Sequence, residues 1–432
     1  MTVLTKNDQA WQELFDKYSI LKAIESSGRF EIEANTINTV REARLMAKFD
    51  HFTNLPQIFQ KNQLAILPVS RSKYVIGKFE TYLSVKYDDV RARIITPPSF
   101  MESIQYNNLY SESLALHYAY LAGIMDEIAG EQTFLTVSGR MSTNKFDFNI
   151  RNVESKRLEA MKVNNSQCEI DGGYESKNSF IIVEAKNYTV EDFLIRQLYY
   201  PYRLWESKLK KTVIPVFMTY SNDCFSFFIF NFNRKDEYNS IKLFKQLKYT
   251  VAPGKIELRD ILAVFHNAKI KDEPAVPFPQ ADRFERIIDL LGLLYENDLT
   301  KDFITQNYQF DVRQTDYYTN AAIYLGLIGR TRAQHRGQGE ILYSLTDLGR
   351  RIMTLDFKNK YLSLVKCLLE HEVFYKVLGR YFELNHIPDK QEVCDIMRNS
   401  YIHGVGADSH NTIERRAQTV LGWINWILGL QN

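Results

Sequence analysis

Glu169-Ile170-Asp171-Gly172-Gly173-Tyr174-Glu175, followed closely by Phe180-Ile181-Ile182-Val183-Glu184-Ala185-Lys186, is the stretch that decides the fold of this chain. Side chains alternate along a strand, so Glu184 and Lys186 share one face and Ala185 takes the other. The run from Phe180 to Val183 is too short and too β-branched for a helix and reads as a buried strand. Gly172 and Gly173 suit a turn or bulge that returns the chain from Asp171 into that strand. Two carboxylates and one ammonium then converge at a strand end, an arrangement suited to a hard cation beside a phosphate.

At 432 residues the chain is too long for one ordinary core, and about two or three domains are expected. Its 45% hydrophobic and 25% charged residues are the balance of a soluble globular protein. The 26 Tyr and 27 Phe favour β structure and aromatic cores. A net charge of +2 means that any nucleic-acid surface must concentrate its positive charge locally. Cys168, Cys224, Cys367 and Cys394 show no CxxC spacing, which argues against a zinc site and against a secreted disulfide scaffold. His371, His403 and His410 lack the paired spacing of metal ligands. The first residues carry no apolar signal core, and no apolar run approaches the ~20 residues of a membrane span. A cytoplasmic protein with no membrane contact is the simplest expectation. The absence of a Walker-type glycine loop argues against ATP-driven chemistry by this chain alone.

The expected fold class is α/β of the α+β kind. Residues 1–99 form an N-terminal region with possible DNA contacts. It has an amphipathic helix over 8–27, with Trp11, Leu14, Phe15 and Tyr18 on one stripe. A basic helix over 39–48 would set Arg41, Arg44 and Lys48 on one face, and a basic turn with Arg71 and Lys73 leads into a strand. Residues 100–270 form the central domain. A helix over 111–129 precedes strands at 134–140, 146–151, 167–174 and 179–186, then a helix near 190–210 interrupted by Pro201, and strands at 212–220 and 225–230. Pro274, Pro277 and Pro279 mark a linker. Residues 280–350 carry helices over 281–296, 300–307 and 312–327, then a basic glycine-bounded hairpin closing with a strand at 341–345. That order suggests a winged helix-turn-helix. Residues 351–432 are mostly helical.

The central residues resemble the PD-(D/E)xK nuclease superfamily, and more narrowly a type II restriction endonuclease. Asp171, Glu184 and Lys186 carry the resemblance, with Gly139-Arg140-Met141 before them and Arg196-Gln197-Leu198-Tyr199-Tyr200 after. The segment around Arg313-Gln314-Thr315-Asp316-Tyr317-Tyr318 adds to it. Ile170 stands at the position that names the family's proline, a change without chemical consequence. The resemblance implies that Asp171 and Glu184 hold Mg2+, with Glu112 at the start of the preceding helix as a further ligand. Lys186 would position the attacking water and lower its pKa. Gln197 would hold a ligand or the scissile phosphate, and Glu169 is a substitute or additional ligand. The implied activity is magnesium-dependent, sequence-specific cleavage of both strands of double-stranded DNA by a homodimer, with a DNA methyltransferase protecting the host's own sites.

A recognition helix at 312–327 would present Arg313, Gln314, Tyr317 and Asn320 to base edges. Arg330, Arg332, His335 and Arg336 on the wing would meet phosphates, as would Arg41, Arg44, Lys48, Arg71 and Lys73. Plainer alternatives stand beside each of these. The central charges are also compatible with strand-end surface positions, Glu112 with a helix dipole, Gln197 with a structural role and the basic sets with solvated faces. Two rival functions remain open: a structure-selective repair or recombination nuclease, and a non-catalytic winged-helix regulator.

Overall fold

A strand buried along its whole length, Ser179–Lys186, lies inside the central sheet, and the chain is assembled around it. The computed structural model describes residues 4–251, 254–335, 338–403 and 410–431. Seven strands form the sheet: β1 (Arg93–Ile94), β2 (Phe134–Ser142), β3 (Gln167–Glu175), β4 (Ser179–Lys186), β5 (Thr212–Ser221), β6 (Cys224–Phe232) and β7 (Ile241–Thr250). Their order is β1-β7-β6-β5-β4-β3-β2. β4 and β5 run parallel, as do β7 and β1, and the other pairs are antiparallel. With seventeen α-helices among the described residues, the protein is mixed α and β.

Helices cover both faces of the sheet, which is why β4 reads as a continuous apolar run rather than an alternating one. Ile181, Val183 and Ala185 pack with Ala115, Leu116 and Ala119 of α1 (Glu112–Leu121). Phe180 and Ile182 face the other way, toward Val213 and the Trp205 ring of α2 (Arg196–Lys208). The succession α1-β2-β3-β4-α2-β5 follows the expected order. Its details differ in three places. Gly123, at φ 80°, ends the first helix and a second runs over Ile124–Ala129. α2 continues through Pro201 and starts later than expected, because Asp192–Leu194 forms a strand with Tyr82–Ser84. A hairpin partner for Lys145–Arg151, Leu158–Asn164, and the strand β7 were not foreseen. β7 hides its period because Lys242, Leu243, Phe244 and Lys245 are all exposed.

The N-terminal part has its own core. Trp11 and Phe15 meet the Phe59 ring edge-on at 4.9 and 5.3 Å, while Tyr18 lies outside the apolar stripe and is exposed. Ser19, at φ 49°, divides the expected helix into Lys6–Tyr18 and Ile20–Ser27. The basic helix expected over 39–48 shrinks to a single turn, Ala43–Met46, so Arg41, Arg44 and Lys48 share no helical face. Local backbone groups are satisfied elsewhere: the Asn38 side chain accepts from the Ala43 N–H, and Trp11 Nε1–H donates to the Met46 carbonyl at 2.9 Å.

After the central sheet come α3 (Phe284–Glu296), a short strand Leu299–Thr300, α4 (Lys301–Asn307) and α5 (Val312–Tyr324). The hairpin Ile328–His335 and Gln338–Leu345 then adds two strands beside Leu299–Thr300. Asp311 and Gln314 close a capping box on α5, and Gly326, at φ 70°, turns the chain just past its end. The proline-rich 270–280 segment is packed rather than free: the buried Phe278 ring stacks on Phe374, and Arg416 donates to its carbonyl. Among the described residues no helix is long and apolar enough to cross a membrane.

Polar groups buried at the β5–β6 turn join the C-terminal helices to the sheet. Lys360, from helix Phe357–Leu369, places Nζ 2.6 Å from Asp223 Oδ2. Asp289 of α3 accepts from Ser221 Oγ at 2.6 Å and from the Thr189 N–H at 3.1 Å. Lys360→Met leaves the Asp223 carboxylate buried without a counter-charge and is expected to cost about 3–5 kcal/mol, read as a lower urea midpoint. Burial pushes the Asp289 carboxyl up to about 7, with its hydrogen bonds opposing. Its folded pKa thus exceeds its unfolded one, so its contribution is fully present below about pH 4 and is lost as pH rises through about 7. Asp289→Asn should therefore gain stability relative to wild type between pH 4 and pH 8, measured as paired denaturation curves.

Candidate active site

Strand register brings the expected carboxylates together. Val183 of β4 pairs with Gly172 of β3, which sets Asp171 beside Glu184 and Ala185. Asp171 Oδ2 accepts the Ala185 N–H at 2.7 Å. Gly172 and Gly173 do not form the turn. They lie inside β3, and the connection to β4 is made at 176–178. The bulge half of the expectation holds against β2, where Val137 opposes Gly173 and Gly139 opposes Ile170, leaving Asp171 and Gly172 across from Ser138 alone. Both glycines are set by space. A Cβ at Gly172 would meet the Tyr174 side chain at 2.7 Å, and one at Gly173 would meet the Phe180 ring at 2.8 Å.

Glu184 and Lys186 lie on one side of β4 and are 7% and 6% exposed. Lys186 Nζ sits 2.6 Å from Glu184 Oε1 and 3.2 Å from the Ala185 carbonyl. Gln197, the second residue of α2, donates Nε2–H to the same Glu184 oxygen at 2.5 Å. Glu112 begins α1 after the Ser111 cap, half-buried on the wall of the adjoining cleft. Glu169 does not join the site: it is exposed and pairs with Arg140 at 3.2 Å.

The electrostatics are those of a cluster short of positive charge. Burial pushes Glu184 up to about 7, the Lys186 ammonium opposing and the Asp171 charge adding. Burial likewise raises Asp171 and Glu112, again against the pull of Lys186. Burial would lower Lys186, but the charges of Glu184, Glu112 and Asp50 outweigh it and hold the ammonium well above the ordinary lysine value. Three carboxyls around one ammonium are the oxygen donors a hard divalent cation takes, so the residue chemistry fits Mg2+. Among the described residues no three His, Cys, Asp or Glu side chains are arranged to hold a metal ion.

Lys186 and Glu112 open onto a cleft of about 550 Å3 whose walls come from three parts of the chain. Lys48 and Asp50 come from the N-terminal part, Tyr188 follows β4, and Leu299, Phe303 and Tyr308 come from the region around α4. Side chains clasp the outer walls together. Asn54 Nδ2 donates to the Thr305 and Tyr308 carbonyls at 3.1 and 2.8 Å, and Arg41 reaches Asp302 at 3.5 Å. Asp50 was not found from sequence. Burial opposes its charge, but Lys186, then Lys48, hold its carboxyl below the usual carboxylate value. Nothing in Phe49-Asp50-His51 signals a partner so distant in sequence.

The residues expected to meet DNA are dispersed. Arg313 is exposed at the start of α5 and lines a second cleft, of about 670 Å3, against residues from 5–61. Gln314 is half-buried, and its side-chain oxygen accepts the Asp311 N–H, so the capping box occupies it. Tyr317 and Asn320 are half-buried, while Arg330 and Arg332 are exposed on the hairpin. Arg336 lies outside the described residues. Arg41 is engaged by Asn7 as well as Asp302, and Lys73 pairs with Glu31 and Glu33, whereas Arg44 and Arg71 are exposed.

Three family models match the chain, each described as a domain of unknown function: DUF6996 over residues 8–76, DUF6997 over 77–250 and DUF7226 over 286–432. No curated protein and no solved structure matches it. The carboxylates of the strand cluster fall in the second span, Asp50 in the first and the α4 wall of the cleft in the third.

Proposed function

We propose that this chain is a magnesium-dependent nuclease of the PD-(D/E)xK kind, acting as a sequence-specific type II restriction endonuclease on double-stranded DNA. The observation that carries the reading is the placement of Asp171, Glu184 and Lys186. They sit at one place on neighbouring strands, in the succession α1-β2-β3-β4-α2-β5. Asp171, Glu184 and Glu112 are the side chains that would hold the cation. Bound there, Mg2+ would supply charge neutralisation at phosphorus and at the leaving oxygen, and a polarised water. Lys186, kept protonated, places a fixed positive charge where the attacking water and the phosphate meet. Gln197 orients Glu184 through its 2.5 Å hydrogen bond.

The helix-strand-helix-helix-hairpin order of α3, Leu299–Thr300, α4, α5 and the 328–345 hairpin supports a winged helix. In it α5 enters the major groove with Arg313 foremost, and Arg330 and Arg332 meet phosphates. A homodimer would present two active sites to a palindrome, one per strand, and a methyltransferase of the same system would protect host DNA. A second reading is a structure-selective repair or recombination nuclease that uses the same strand cluster.

Incubation of the chain with phage-length duplex and Mg2+ beside an EDTA control separates these readings. Discrete bands support the restriction enzyme. Intact duplex together with cut branched or single-stranded DNA supports the second reading. Asp171→Ala and Lys186→Ala are expected to abolish cleavage and leave DNA binding intact, and a variant that nicks at the wild-type rate would remove the assignment. Arg313→Ala should weaken binding to the cognate site by roughly 1–3 kcal/mol more than to random sequence, measured by paired titrations. Equal losses would reduce Arg313 to a phosphate contact.

A further inference from the structure

We infer that residues 242–245, on the open side of β7, form a docking surface for a single-stranded stretch of nucleic acid, with the lysines on phosphates and the Phe244 ring against a base. The inference rests on the nuclease reading above for the identity of the polyanion. Among the described residues β1 pairs with β7 only at Tyr249 and Thr250, so the side of β7 turned from β6 has no strand partner over 241–248. Within that stretch Lys242, Leu243, Phe244 and Lys245 are exposed in succession, Leu243 by 45% and Phe244 by 71%. A strand alternates its side chains, so consecutive exposure needs a cause. The cause is a bulge: Ile229 of β6 opposes Lys245 and Phe230 opposes Leu243, which leaves Phe244 as the extra residue. Ile229 and Asn231 share a face of β6, so their partners Lys245 and Lys242 share one too, on either side of Phe244 in the chain.

Among the described residues neither lysine forms an ion pair. Glu127, which feels the Lys245 charge, is paired with Arg93 at 2.5 Å. Asp88 and Asp89 bring negative charge beside Gln246, whose side-chain oxygen accepts the Asp88 N–H at 3.1 Å, so the surface ends at Lys245. Lysines and a bulge alone are a common guard on an open sheet edge. A largely exposed aromatic ring at the bulge works against that purpose. A second copy laid antiparallel over Leu243 and Phe244 would bring Lys242 and Lys245 against their own counterparts, like charge on like. A polyanion instead meets two ammonium groups that hold no carboxylate, and any base can stack on an exposed ring. Strand register sets the place of this surface. Lys186, Thr219, Ser226 and Lys248 lie in one row across β4, β5, β6 and β7. Three strand spacings across and four residues back put Phe244 about 20 Å from Lys186, an outer contact separate from the cleft.

The test measures binding of the full chain to a fluorescein-labelled oligothymidylate in EDTA, which stops metal-dependent cutting. Wild type is compared with Phe244→Ala, Phe244→Tyr and the double variant Lys242→Gln/Lys245→Gln. Lys145→Gln/Lys162→Gln, on exposed lysines of a separate hairpin, is the control. Phe244→Ala should weaken binding by about tenfold, the size of one base-stacking ring, and Phe244→Tyr should restore it. The Lys242 and Lys245 double variant should reduce the slope of log K against log salt by about 1.4, from ~0.7 per phosphate on a single strand. The control should leave that slope unchanged. Unchanged binding in Phe244→Ala, or an equal loss in the control, overturns the inference and leaves the nuclease reading to its own cleavage test. A Phe244→Ala defect seen on phosphatidylserine vesicles, or in self-association by sedimentation, with oligonucleotide binding unchanged, overturns it in favour of a membrane or a second copy. A wild type that cuts no DNA yet binds the oligonucleotide through Phe244 supports this surface and counts against the nuclease reading alone. A wild type that binds no nucleic acid removes both.

Discussion

The contact between Glu184 and Lys186 is the constraint around which the molecule is arranged. Both charges sit on a strand covered on its two faces, where an unpaired carboxylate or ammonium is too costly to keep. They are tolerated because each satisfies the other, and because Gln197 donates to Glu184 and the Ala185 carbonyl accepts from Lys186. Apolar residues of comparable size at both positions would stabilise such a strand at least as well. The pair is therefore better understood through chemistry than through stability. The Glu184 and Asp171 carboxyls are raised chiefly by this burial, with the Lys186 ammonium opposing.

Around this pair the fold distributes its charge unevenly, and the near-neutral total conceals it. Positive groups that look free in sequence are spent between parts of the chain. Arg41 and Lys6 both reach Asp302, Lys6 also reaches Glu340, and Lys360 is buried on Asp223. Each exposed pair is individually weak, of order 0–1 kcal/mol. Three of them between the N-terminal part and the α4–hairpin region, with the two Asn54 hydrogen bonds, still favour one relative placement of those parts. Arg313, Arg330 and Arg332 stay exposed.

What the sequence makes legible follows from the range of the interactions involved. The order of α1, β2, β3, β4, α2 and β5 and the convergence of Asp171 with Glu184 could be read because they depend on alternation and spacing within about 110 residues. Apolar runs with sharp ends, such as 179–186, fix strands almost to the residue. Elements failed where a local rule met a tertiary demand. The turn assigned to Gly172-Gly173 is a packing requirement of Tyr174 and Phe180. The helix expected over 39–48 gives way because Trp11 and Asn38 take its backbone groups. Gln314, suited to a base edge by type, is occupied by a cap that the Asp311-x-x-Gln314 spacing does announce.

Asp50 is the limiting case. It lies in a segment with neither helical nor strand period, and it lines the cleft beside residues from far along the chain. Covalent neighbours do not reveal it, because what places Asp50 is the burial of His51 on Tyr188 and Asp192, residues that themselves follow β4. A site completed across separate segments in this way cannot form until the N-terminal part has docked on the sheet. The cleft is thus conditional on assembly, because its walls come from the N-terminal part, from the segment around β4 and from the region around α4.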